Sequence, residues 1–186
     1  MNVPNVLTLS RIVLAIVMVC LLEKGSSVGN ISAFIVFAAA SLTDFYDGYW
    51  AKTRGLVSNF GKIMDPVADK VLILSAFGVF AHIGVIAWWM FIVIAAREIL
   101  VTASRLWAVG QGQVLAAEYA GKVKTVVQII AVSVILLYLV ARQSGYCSSW
   151  FPDVQNLWLG INEALMLLVV ILTVYSGVVY FRKSGN

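Results

Sequence analysis

Four of the chain's nine acidic residues, Asp44, Asp47, Asp65 and Asp69, fall within a 26-residue window whose surroundings are largely apolar. An Asp at the centre of a membrane helix costs about 2.5–3.5 kcal/mol, so four facing lipid would cost about 10–14 kcal/mol. They must therefore face a wet or metal-filled cavity. Asp44 and Asp47 are spaced i,i+3 and Asp65 and Asp69 i,i+4, so each pair projects from one face of a helix. Residues 53–60 form a connection short enough to make the two helices antiparallel neighbours, on which the carboxylate pairs converge. Hard oxygen ligands without Cys or a neighbouring His suit Mg²⁺, Mn²⁺ or Ca²⁺ rather than zinc, and four carboxylates can hold two such ions. The competing arrangement is salt bridging with Lys52, Arg54, Lys62 and Lys70. Ionisable residues inside a membrane are functional by default, which favours the cavity. Gly48 and Ala51 continue the face of the first pair, and Gly61 lies one turn before Asp65. Small residues there suit either close helix packing or a slot for a flat or extended ligand.

A second group is basic. Arg97, Glu98, Arg105, Lys122 and Lys124 flank the connection between the fourth and fifth helical segments. Any one of these cations alone reads as an orientation signal. Together, with Arg97 and Arg105 eight residues apart on a similar helical face, they are able to hold a phosphate. A two-metal centre beside a phosphate-holding basic pocket points to displacement at phosphorus.

The elements that must position these groups follow from composition. Of 186 residues, 61% are hydrophobic and 12% charged, with a mean hydropathy of +0.93. Soluble domains average about 45–50% apolar and about 25% charged, so a soluble enzyme, a nucleic-acid binder and a disordered chain are excluded. The expected fold is an all-α integral membrane protein, a single domain over residues 1–186. Cys20 and Cys147 follow no metal or redox spacing, and no disulfide is expected.

Val6 to Leu22 reads as a first span rather than a cleaved signal peptide, with Arg11 near its start snorkelling to an interface. Gly25 to Thr43 gives a second. Val71 to Ala96 is uncharged for 26 residues, long for one helix and short for two. Two spans turning at His82-Ile83-Gly84, from about 61–81 and about 85–107, keep the neighbouring charges on one side. Thr125 to Ala141 and Ala164 to Arg182, the last starting near Leu157, complete six transmembrane helices with both termini on one face. Eleven Lys and Arg then fall on that face, and Lys24 and Arg142 on the other, a bias that marks the cytoplasmic side. Trp88, Trp89, Trp150 and Trp158 fall at the outer boundary and Trp50 and Trp107 near the inner one, as aromatic belts do.

The run Asp44-x2-Asp47-Gly48-x2-Ala51-Lys52-x8-Gly61-x3-Asp65-x3-Asp69 resembles the signature of the CDP-alcohol phosphotransferase family, D-x2-D-G-x2-A-R-x8-G-x3-D-x3-D. Lys52 stands where the family has Arg; the charge survives, the bidentate fork does not, and Arg54 is the candidate substitute. Beyond the signature, the stretches at 2–11, Asp65-Pro66-Val67-Ala68-Asp69-Lys70, Arg97-Glu98 and Gly121-Lys122-Val123-Lys124-Thr125 are similar to bacterial members that use glycerol 3-phosphate. The resemblance implies a homodimer of six-helix subunits in the bacterial cytoplasmic membrane, its active site facing the cytoplasm. It implies a phosphatidyltransferase of phospholipid biosynthesis, in which an alcohol displaces CMP from CDP-diacylglycerol. Carried over by position, Asp44, Asp47, Asp65 and Asp69 would bind two divalent cations, Mg²⁺ or Mn²⁺, and Asp69 would also be the general base. Gly48, Ala51 and Gly61 would shape the nucleotide site, and Lys52 with Arg54 would hold the diphosphate. Arg97, Arg105, Lys122 and Lys124 would hold the phosphate of glycerol 3-phosphate. An inositol phosphate acceptor is the alternative on the same scaffold. A metal or ion transporter is the alternative from another class, disfavoured because transport sites usually lie near the midplane between repeats and no repeat is visible here.

Overall fold

The computed structural model describes the backbone of residues 3–54, 59–111, 119–143 and 152–184. It describes side chains for 9–43, 67, 68, 70–108, 111, 121–142 and 156–182. All secondary structure among these is helical: α1 (Val3–Glu23), α2 (Ser27–Arg54), α3 (Asn59–His82), α4 (Trp88–Gly110), α5 (Tyr119–Gln143) and α6 (Pro152–Ser184). α1, α3, α5 and α6 contain the apolar runs read from the sequence and extend past them, whereas α2 and α4 begin two and three residues later than expected.

Local chemistry sets the helix ends. Gly25 takes a φ of +58° after α1 and donates to the Leu22 carbonyl at 3.0 Å. Ser26 then caps α2, its Oγ accepting the Gly29 N–H at 3.0 Å. A Cβ on Gly29 would lie 2.6 Å from the Leu21 carbonyl oxygen, so α1 and α2 approach closely because that side chain is missing. At the other tight turn Gly84, with φ +74°, donates to Ala81 O at 3.2 Å while Val85 N–H reaches back to Phe80 O at 2.9 Å. That paired closure ends α3 at the turn expected from the charge pattern. The last helix starts at Pro152, five residues before the expected Leu157. A proline suits the first helical position, whereas the expectation rested on apolarity, which does not mark where a helix begins.

Packing runs as a closed circuit, α1 to α2 to α5 to α6 to α4 to α3 and back to α1, with α3 and α5 also touching across the middle. The circuit divides into two quartets sharing α3 and α5. One is α1, α2, α5 and α3; the other is α3, α4, α6 and α5. Phe37, Phe77, Phe80, Met18, Ile135 and Leu136 are among the fully buried side chains between them, and Phe77 meets Phe80 edge-on at 6.4 Å. Among the described residues α3 exposes no large hydrophobic side chain, whereas every other helix does. Apolar exteriors such as Val28 at 75% and Ile171 at 63% exposed suit surroundings that are themselves apolar.

Among the described residues, Gly121–Arg142 of α5 and Asn156–Arg182 of α6 are long and apolar enough to cross a membrane; Ser27–Thr43 and Lys70–His82 are shorter apolar helices. On α4, Trp88 and Trp89 at one end and Trp107 near the other are at least half exposed. Helical rise separates Trp88 from Trp107 by about 28 Å, close to the thickness of a bilayer's hydrocarbon core. Arg11 departs from expectation. It does not snorkel: it is 3% exposed, on the same α1 face as buried Ala15, Met18 and Leu22, and it is engaged in an interaction there. Its helical phase, not its distance from the end of the span, decides where it points.

Candidate active site

Asp44, Asp47, Gly48, Ala51, Lys52 and Arg54 lie in α2, and Gly61, Asp65 and Asp69 in α3. Their side chains fall outside the described residues, as does that of Lys62. What the fold contributes is the placement of their helices. Both α2 and α3 pack along α1 and against α5, and no comparable direct packing of α2 on α3 occurs among the described residues. The short connection 55–58 constrains only the facing ends of the two helices, and α1 lines both of them above it. The two acidic segments thus sit at one end of the first quartet, to whose α1 side buried Arg11 adds a cation. Four carboxylates from two helices, without a thiol or imidazole in the same segments, fit hard divalent cations as a donor set.

The second quartet holds the basic group around a hub. Glu98 of α4 is 1% exposed, which no carboxylate tolerates without compensation. Lys124 of α5 meets its Oε1 directly, Lys70 of α3 lies 2.8 Å from Oε2, and Arg97 of α4 lies 3.5 Å from Oε1. Gln128, one turn after Lys124 and fully buried, adds a 3.4 Å contact to Oε1. One carboxylate therefore joins three helices. Thus Lys70, considered above as a partner for the aspartates, is paired with Glu98.

Arg97 and Arg105 also reach a fourth helix. Arg97 Nη2 donates to Ser176 Oγ of α6 at 3.0 Å, and Arg105 lies over the ring of Tyr180, 5.6 Å from its centroid. The register 97 with 176 and 105 with 180 makes α4 and α6 parallel neighbours. Of the four expected phosphate ligands, Arg97, Arg105 and Lys124 thus come together. Lys122 does not join them: it is exposed, while Lys124, two residues on and about 200° around the helix, is 3% exposed.

Several polar atoms in this quartet are buried without a hydrogen-bond partner, among them Arg97 Nε, Arg105 Nε, Thr173 Oγ1 and the Tyr180 hydroxyl. Buried donors are normally satisfied, so their concentration on one seam marks a place where an acceptor belongs. On the opposite flank an apolar groove of about 410 Å³ between α3 and α4 opens beside Lys70 and Glu98, lined by Val71, Leu74, Ile99 and Leu106. Sequence reasoning named Glu98 without its central role, and missed Gln128, Thr173, Ser176 and Tyr180. The signal for α6 was present: Thr173, Ser176, Gly177 and Tyr180 recur at i, i+3, i+4 and i+7 in an otherwise apolar segment.

Known proteins resemble the chain along most of its length. The Bacillus subtilis protein named CDP-diacylglycerol–glycerol-3-phosphate 3-phosphatidyltransferase is 39% identical to it, across 98% of this chain and 95% of that one. The Escherichia coli protein of the same name is 32% identical, across 98% and 94%. A Mycobacterium tuberculosis protein named probable phosphatidylglycerophosphate synthase is 38% identical, across 74% and 67%. A model of the CDP-alcohol phosphatidyltransferase family matches residues 1–175. Matched over nearly its whole length, signature included, the chain belongs to the CDP-alcohol phosphatidyltransferase family.

Proposed function

We propose that this phosphatidyltransferase moves the phosphatidyl group of CDP-diacylglycerol to glycerol 3-phosphate, releasing CMP and forming phosphatidylglycerophosphate. The observation that carries the choice of acceptor is the gathering of cations in the second quartet. Among its described residues, buried Lys124 and partly buried Arg97 and Arg105 are accompanied by one carboxylate, Glu98, which Arg97 and Lys124 contact. Burying several cations together is costly unless an anion joins them, and a phosphomonoester is such an anion. The relatives named above for the same donor and acceptor support the reading.

In the reaction, Lys52 and Arg54 hold the diphosphate of the donor, while Gly48, Ala51 and Gly61 leave room for the nucleotide. Arg97, Arg105 and Lys124 seat the acceptor phosphate, and exposed Lys122 attracts it without lining the pocket. Asp69 takes the proton of the acceptor hydroxyl as its oxygen bonds to the phosphatidyl phosphorus. The bond from that phosphorus to the CMP oxygen breaks, and CMP leaves with the electron pair. Asp44, Asp47, Asp65 and Asp69 would hold two divalent cations, Mg²⁺ or Mn²⁺, which neutralise charge on the diphosphate.

The same reading has six membrane spans, both termini and the active site in the cytoplasm, one domain over residues 1–186, and a homodimer in the bacterial inner membrane. The lopsided distribution of Lys and Arg supports the orientation. The test is release of CMP by purified protein given CDP-diacylglycerol and a panel of acceptors. Glycerol 3-phosphate should react and free glycerol should not. Equal reaction of free glycerol would remove the acceptor assignment, and preference for an inositol phosphate would change the alcohol while keeping the chemistry.

A further inference from the structure

We propose that α6 is the specificity helix of the acceptor site: Ser176, Gly177 and Tyr180 are positioning residues that fix Arg97 and Arg105 as a paired receptor for a phosphomonoester. The inference rests on the acceptor reading above and assigns to α6 a role that none of the signature residues covers.

Three contacts carry it. Ser176 is 2% exposed, and its hydroxyl donates to the Thr173 carbonyl at 3.0 Å. With its proton committed there, its lone pairs are left to accept from Arg97 Nη2. Ser176 thus serves as a fixed acceptor that turns the guanidinium. Gly177 supplies the space: a Cβ there would lie 3.2 Å from Arg97 Cγ and 3.5 Å from Nε, so the arginine stem crosses α6 where a side chain is missing. Tyr180, one turn further, presents its ring to Arg105.

Arg97 spends Nη1 on Glu98 and Nη2 on Ser176, which leaves its buried Nε without a partner. Arg105 Nε is likewise buried and unpaired. Thr173, fully buried, and Tyr180, 5% exposed, lie on the same α6 face, each with an unpartnered hydroxyl. Two guanidinium N–H donors, removed from water and unsatisfied and flanked by two unpartnered hydroxyls of α6, are suited to the oxygens of a dianionic phosphate. A carboxylate, with two oxygens and one charge, would satisfy fewer of them.

The test uses the full-length protein in detergent, with kinetics and a binding readout side by side. Ser176→Ala removes the acceptor and Gly177→Val fills the gap. A hydrogen bond to a charged group is worth about a tenfold to hundredfold change in affinity, so the KM for glycerol 3-phosphate should rise about tenfold or more in each. The KM for CDP-diacylglycerol should stay within about twofold of wild type. Ser176→Thr keeps the hydroxyl and should restore most of the loss. Tyr180→Phe should be milder than Tyr180→Leu, because only the latter removes the ring beneath Arg105. In an Arg97→Lys background, Ser176→Ala should add little, since it acts through the guanidinium.

Inorganic phosphate should raise the melting temperature of wild type, and raise it less in Ser176→Ala. The inference is overturned if phosphate and glycerol 3-phosphate leave the wild-type melting temperature unmoved. It is equally overturned if the α6 variants raise both KM values alike or neither. Should the wild type prefer another phosphorylated alcohol whose KM shifts in these variants, the receptor on α6 stands and only glycerol 3-phosphate falls.

Discussion

Replacing Glu98 with Gln leaves Lys70, Arg97 and Lys124 gathered around a neutral amide in a site where the carboxylate was 1% exposed. Breaking a buried ion pair by removing one partner costs about 3–5 kcal/mol, because the remaining charge is neither solvated nor neutralised. For a chain of this length each kcal/mol is worth about 2–4 °C, so the melting temperature should fall by about 6–20 °C. The reverse deletions should cost much less. In Lys124→Gln the carboxylate retains Lys70 and Arg97, and in Lys70→Gln the lost cation was 24% exposed and partly hydrated already. The assay is thermal unfolding of purified protein in one detergent, with glycerol 3-phosphate added in a second series. Because the variant removes the carboxylate that these cations share, the anion should recover more of the lost stability in Glu98→Gln than it adds to wild type. A Glu98→Gln protein that melts within about 1 °C of wild type would refute the hub. So would Lys124→Gln being the more damaging change.

Turnover should vanish in excess EDTA and return with Mg²⁺ or Mn²⁺; full activity in chelator sinks the two-cation site. Asp69→Asn should lower the rate by about 10²- to 10⁴-fold if general base catalysis dominates, and near-normal turnover removes Asp69 from that role. Cysteines introduced at Ser58 and Ser184 should be labelled from the cytoplasm and one at Ser148 from the opposite side, with labelling of 58 and 148 from the same side overturning the six-span topology. Gly84→Ala should cost about 1–2 kcal/mol through its positive φ alone, since a Cβ there meets nothing within 4 Å, and CMP release should be unchanged. An unaltered melting temperature would mean that the α3–α4 turn relaxes without penalty.

The helices were legible because lipid and charge impose a coarse rule on the sequence. Gly84 marks the α3–α4 turn as the uncharged run of 26 residues requires, and Trp88 and Trp107 mark the ends of α4. What the one-dimensional pattern could not contain was angular phase between helices. Lys122 and Lys124 read as a pair because they are two apart in sequence, yet a helix turns that spacing to opposite sides. Arg11 read as an interface residue by its depth and is buried by its phase. The short connection between α2 and α3 read as direct packing; among the described residues it is α1, equally close in sequence to α2, that packs along both. Ser176 and Tyr180 escaped notice because isolated hydroxyls in an apolar helix carry no charge to draw attention. Their meaning depends on Arg97 and Arg105, which lie far from them in sequence.

The common membership of α3 in both quartets bears on the chemistry itself. Asp69 and Lys70 are adjacent in sequence and about 100° apart around α3. Lys70 is tied through Glu98 to α4 and, through the same carboxylate, to α5. Any displacement of α3 therefore moves the proposed base and the basic pocket together rather than changing the distance between them. Misplacing reacting groups by about 1 Å can cost about 10²-fold in rate, so a displacement between two bound anions needs this kind of shared rigid element. It also gives a reason for placing Glu98 on α4 despite the cost of its burial. With Lys70, Lys124 and Arg97 drawn to one carboxylate, three helices are locked in register while Arg97 and Arg105 keep unpaired donors for a phosphate.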